Sequence, residues 1–148
     1  MRQILKAGAI CVALMPGVAT ACAILAPFEV GSLSKADIIL LGEVIGFKMV
    51  HEAPGAALVT LRVTEAIKGT AAEEVVLIWN EGLAMGPYEP RARGMMVIGA
   101  MATGRQPDPV HYDHRPDLPM IVQPYCGDVW MQPATPTLLA EIRVLLAP

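Results

Sequence analysis

The sequence predicts a mainly β domain, a small five-stranded barrel with one amphipathic helix at its C-terminal end. Three observations carry this: five apolar, β-branched segments separated by Gly- and Pro-rich turns, glycines inside two of those segments, and a helical stripe confined to the tail. Closure into a barrel removes the exposed edges that such apolar strands could not safely leave open, and a β-sandwich is the alternative.

A short polar, helical piece is expected around Glu29 to Lys35. Residues 37 to 50 (DIILLGEVIGFKMV) then read as the first strand, and Gly42 and Gly46 within it mark the bend or bulge that a curled barrel strand needs. His51 to Gly55 turns the chain. From Leu58 to Glu65 the alternation is clean, with Val59, Leu61 and Val63 on one face and Thr60, Arg62 and Thr64 on the other, a half-buried strand. Lys68-Gly69-Thr70 is the next turn. Glu74 to Trp79 (EVVLIW) is apolar almost throughout, which predicts a third strand covered on both faces. Met95 to Met101, with Gly99 inside it, is the fourth strand, and Met120 to Tyr125 the fifth. The four prolines and many charges of Gly104 to Pro119 make a solvent-exposed connection. At the tail Thr135 suits an N-cap and Pro136 the first helical position. Leu138, Leu139, Ile142, Leu145 and Leu146 then fall on one stripe that packs on the sheet.

Ahead of this domain stands a segment with export character. Arg2 and Lys6 form a basic start, Ala7 to Met15 is apolar, and Pro16-Gly17 precedes the small-x-small triplet Ala19-Thr20-Ala21. Residues 1–21 are therefore expected to be a signal peptide and residues 22–148 a single secreted domain, periplasmic or extracellular. An uncleaved membrane anchor is the rival reading, opposed by the Pro-Gly pair and the Leu-poor second half. A lipoprotein is another, since lipid is attached to a cysteine that follows the cut, although Ala19 stands where Leu is usual.

The net charge of −3 disfavours a nucleic-acid partner, no basic groove is evident, and loss of Arg2 and Lys6 would make the chain more acidic. Cys11 falls within the signal, which leaves Cys22 and Cys126. In an oxidising compartment two cysteines make one bridge, here closing a loop of about 100 residues, worth about 4–5 kcal/mol in the chain-entropy picture. Cys22 would be the first mature residue, and its α-amine beside its own carbonyl is a ready metal chelator.

Several segments in order resemble tissue-inhibitor-of-metalloproteinase-like, or netrin-like, domains. Lys35-Ala36-Asp37-Ile38-Ile39-Leu40-Leu41-Gly42-Glu43-Val44 is similar to the family's opening strand, and Val59 to Gly69 (VTLRVTEAIKG) to its second strand and Lys-Gly turn. Cys126, followed by Leu138-Leu139, resembles the closing cysteine and its helix. The resemblance spans nearly all of residues 22 to 146. It implies an oligonucleotide/oligosaccharide-binding-type (OB-like) Greek-key barrel with flanking helices, secreted and acting by binding rather than catalysis. It further implies that the Cys22 amine and carbonyl grip the catalytic zinc of a metalloprotease while Ala23 enters the pocket beside it. The chemistry fits, because an α-amine with a pKa near 8 can give its lone pair to a zinc ion that keeps an open position. The family's inhibitors start Cys-x-Cys and carry more disulfides, whereas this chain has Cys22-Ala23-Ile24 and one partner cysteine. A bland staple between Cys22 and Cys126 is the competing account.

Other constellations carry less chemistry. His111-Tyr112-Asp113-His114, with Asp108 or Asp117, offers ligands without any established metal spacing, and a Pro-rich loop is a poor rigid cage. His51 sits alone. Ser32 and Ser34 lack a nucleophile-elbow setting, and the acids are scattered, so neither an enzyme nor a cofactor is expected. Met85, Met95, Met96, Met101, Met120 and Met131 mostly lie in strand patterns and are expected to fill the core. Trp130 would pack over a disulfide or anchor a partner. The expected partner is a zinc metalloprotease or another envelope or extracellular protein, with a membrane only if Cys22 is lipidated.

Overall fold

The computed structural model describes residues 26–50, 56–80, 93–104, 115–123 and 127–147. Among the described residues, six strands and one α-helix follow a short 3-10 helix: β1 (Ile38–Met49), β2 (Ala56–Lys68), β3 (Glu74–Asn80), β4 (Gly94–Met101), β5 (Met120–Ile121), β6 (Met131–Pro133) and α1 (Pro136–Leu145). Antiparallel β1–β2 and β2–β3 pairs continue to β5, which runs parallel to β3 through Ile78↔Met120 and Trp79↔Ile121. β5 pairs with β4, and β4 returns to β1 over Ile38↔Ala100 through Val44↔Gly94. That last pairing closes a five-strand barrel and removes the sandwich alternative.

Alternation sorts the side chains. Leu40, Ala57, Val59, Leu61, Leu77, Trp79, Met96, Ile98, Ala100 and Ile121 point inward and form the buried interior with Val129 and Met131. The strands reach closure by bending: the register of β1 against β2 slips between Ile39 and Leu40, Leu41 and Gly42, and Val44 and Gly46. At Gly42 the backbones approach so closely that a Cβ would lie 2.3 Å from the Arg62 carbonyl oxygen, so only glycine fits this coil of the strand.

Ile39, Leu41, Val97 and Met101 point outward from β1 and β4 into a second buried layer. Leu33 of the 3-10 helix, Ile142 of α1 and Trp130 roof it, with Phe28, Val30, Leu138, Leu139 and Leu146 packed around them. Gly99 serves this layer and not a bend: a Cβ there would sit 2.6 Å from Leu33 Cδ2 and 3.0 Å from Trp130 Cε3. α1 begins where expected, with Thr135 Oγ1 accepting from the Leu138 N–H at 3.1 Å and Pro136 in the first turn. Arg143 ties the helix to β2 through Glu65 at 3.0 Å.

Two elements differ from expectation. Val30–Lys35 is a 3-10 helix, and the Ser32 and Ser34 hydroxyls donate to the carbonyls three residues back, Glu29 at 2.6 Å and Gly31 at 2.8 Å. Such local bonds, a glycine and a length of six residues favour the tighter turn over an α-helix. The fifth strand, expected over 120–125, stops at Ile121 and resumes at Met131, still along β4. The excursion between is pinched at its neck, where the Trp130 N–H donates to the Val122 carbonyl at 2.8 Å and the Gly99 N–H to the Trp130 carbonyl at 2.7 Å.

Candidate functional site

The start of the described chain docks on this excursion. Ala26 forms a parallel bridge with Gly127, and the Asp128 N–H donates to the Ala26 carbonyl at 3.0 Å. Pro27 follows Ala26 in the chain. Beyond it Phe28 and Val30 enter the roofed layer. Asp128 also organises its own turn, with Oδ1 accepting from the Val129 N–H at 2.9 Å, while the Gln132 amide donates to the Val129 carbonyl at 2.9 Å. On the opposite flank of the excursion Gln123 Oε1 accepts from Trp79 Nε1 at 3.1 Å, and Trp79 meets Phe47 edge-on at 6.4 Å between ring centres. The segment carrying residue 126 thus leaves and rejoins the barrel at anchored points.

Cys22, Ala23 and Cys126 lie outside the described residues, as do His51 and the His111 to His114 segment. The described residues beside the two cysteines, Ala26 and Gly127, are brought together. Among the described residues no group of three His, Cys, Asp or Glu side chains could hold a metal ion, and no helix is long and apolar enough to cross a membrane. Ser32 and Ser34 are engaged in the turns of the 3-10 helix.

Trp130 is buried, 4% exposed, between Gly99 and the helices, which corrects the expectation of a surface anchor. Its indole N–H has no hydrogen-bond partner among the described residues. Met95 departs from the core expectation at 43% exposed, while Met96, Met101, Met120 and Met131 are buried as expected and Met85 lies outside the described residues.

Two of the motifs that carried the family resemblance, Ala36-Asp37 and Lys68-Gly69, meet at one end of the barrel. The Asp37 carboxylate accepts from the Ala102 N–H at 3.0 Å, and the Asp37 N–H donates to the Ala100 carbonyl at 3.1 Å. Lys68 Nζ donates to the carbonyls of Ser34, at 3.0 Å, and Ala36, so its charge sits at the C-terminal end of the 3-10 helix. Ala-Asp and Lys-Gly therefore form a clamp that fixes the 3-10 helix to the ends of β1, β2 and β4. Sequence reasoning found these residues as a motif and missed this role, because the contacts join positions more than thirty residues apart.

Elsewhere on the outside of the barrel, no described element covers β1 to β4 around Glu43 and Met95. Glu43, Arg62 and Glu74 form a line across β1, β2 and β3, with Arg62 3.5 Å from Glu43 and 3.7 Å from Glu74; Ile45 and Val76 are exposed on β1 and β3, and Met95 on the neighbouring β4. In the 115–118 turn Arg115 donates to Asp117 at 2.8 and 2.6 Å. These bonds hold the Asp117 carboxyl below the usual carboxylate range and raise Arg115 above its ordinary value. What the pair contributes is therefore present at neutral pH and lost as acid takes the pH down through the lowered Asp117 value.

A scan against models of known protein families returns no match, and a search of the curated proteins returns none.

Proposed function

We propose that residues 22–148 form a secreted, non-enzymatic binding module. Its body is an OB-like Greek-key barrel, its Cys22 is stapled to Cys126, and its free N-terminal amine is presented to the catalytic zinc of a metallopeptidase. The observation that supports this best is the Ala26–Gly127 bridge. Ala26 stands four residues after Cys22 and Gly127 one after Cys126. Parallel neighbours lie about 5 Å apart and four residues reach about 14 Å at most, so a bridge between the cysteines demands no movement of the barrel. The ring order β1-β2-β3-β5-β4, with its single parallel contact at β3–β5, favours OB-type wiring.

A staple of this kind holds the first residue beside the pinched excursion. An amine fixed in place loses little freedom on meeting a metal, which is the advantage of preorganisation. Ala23, next in line, is small enough to enter a pocket beside the zinc. A second reading, a lipid-anchored envelope protein tethered at Cys22, draws support from a shallow apolar groove at Val30, Gly31, Ala140, Val144 and Leu145, where Val144 is 78% exposed.

Intact-mass analysis and alkylation without reductant test both. A chain starting at Cys22, two hydrogens light and resistant to alkylation, supports the module; added diacylglycerol mass moves the reading to the tether. Two freely alkylated thiols defeat the staple. The inhibitory step is tested by titrating a purified zinc endopeptidase with the mature protein and with a form carrying one extra alanine ahead of Cys22. Inhibition by the first alone is expected, and equal inhibition by both, or none by either, overturns the amine as the ligand.

A further inference from the structure

Met95 and Met96 are neighbours in sequence and opposites in environment. Met96 points into the barrel at 1% exposed, whereas Met95 stands on the bare outer face at 43%, directly across from Glu43 in the β1–β4 register. Met49, near the end of β1, is also 43% exposed. Met101, Met120 and Met131 are 7%, 4% and 2% exposed. Thioether oxidation needs approach of the oxidant to sulfur, and its product is polar and chiral where the reactant was apolar and flexible. Inside the barrel that change would break packing; on the bare face it costs little.

We infer that Met95 and Met49 are modification sites for peroxide-class oxidants, and that oxidation of Met95 switches the polarity of the bare face while the fold stays intact. The step balances without a cofactor. A sulfur lone pair attacks the outer oxygen of hydrogen peroxide, the O–O bond breaks as the S–O bond forms, and the departing hydroxide takes the transferred oxygen's proton and leaves as water. Sulfur loses two electrons and the peroxide gains them. The Met95 sulfoxide then sets a hydrogen-bond acceptor beside Glu43 on a face whose exposed apolar members are Ile45 and Val76.

The experiment treats the folded protein with dilute hydrogen peroxide and follows each methionine by peptide mass mapping, with fragment ions separating Met95 from Met96. Met95 and Met49 are expected to oxidise about tenfold faster, or more, than Met96, Met101 and Met131. The thermal midpoint should hold while only the first two are modified. In urea the rates should converge. The inference fails if Met96 or Met131 oxidises as fast as Met95 in the folded protein, if the midpoint falls in step with Met95 oxidation, or if the difference persists in the unfolded chain.

Discussion

β1 passes over two kinds of exterior on the same barrel. At Ile39 and Leu41 its outward side chains are buried beneath the 3-10 helix and α1, while at Glu43 and Ile45, one turn of alternation further, they face solvent. β4 repeats the contrast from Met101 and Val97, which are roofed, to Met95, which is not. Both regions obey the same period of two, so the pleat decides which residues point outward and the helices decide which part of the outside becomes core. A fully buried side chain of this size is worth about 1.5–3 kcal/mol, so the roofed half stabilises the fold. The bare half, with Glu43, Ile45 and Met95 exposed, adds little burial.

The sharpest test compares Ile39→Ala with Ile45→Ala by urea unfolding. Ile39 is 0% and Ile45 39% exposed. The first change should cost about 2–5 kcal/mol through transfer and cavity losses, and the second about 0.5 kcal/mol or less. Equal losses would erase the distinction between the two exteriors. Gly99→Val comes next, because its side chain would collide with Leu33 and Trp130 at the seam between barrel and roof. A cost of about 1–3 kcal/mol is expected from overpacking, with blue-shifted or quenched tryptophan emission as an independent sign of disturbance at Trp130. An unchanged midpoint and spectrum would mean that the seam is loose. A smaller effect than that of Ile39→Ala or Gly99→Val belongs to Lys68→Met, which keeps the aliphatic stem and removes the donors to Ser34 and Ala36. About 1 kcal/mol should be lost, with early hydrogen exchange in residues 30–35 if the clamp holds the 3-10 helix.

β1 to β4 and α1 were legible in the sequence because each has a strong internal signal: alternation at Val59 to Thr64, a continuous run at Glu74 to Trp79, and a capped stripe after Thr135. The break between β5 and β6 was not. Met131 to Pro133 is too short to show a period, and its place is set by pairing with Met96 to Ile98, which no local pattern announces. Exposure at Met95 was hidden for a related reason, since its apolar side chain reads as core until the extent of the roof is known. Of the candidate site, Cys22 and Cys126 were singled out from cleavage logic and cysteine pairing, and Ala23 from the family resemblance alone. What the sequence could not reveal is that Ala26 and Gly127 are neighbours, a contact across a hundred residues.

Ring closure also sets a schedule for folding. β1 completes its pairing only when Ile38 meets Ala100, and the roof over Ile39 needs Ile142. Contacts so distant along the chain make assembly slow, on the order of milliseconds to seconds for small β topologies. A nascent polypeptide of this kind leaves the ribosome with its early hairpin uncovered and cannot lock until its last helix has emerged. That interval, in which the growing chain is an unfolded client, is written into the order of the strands.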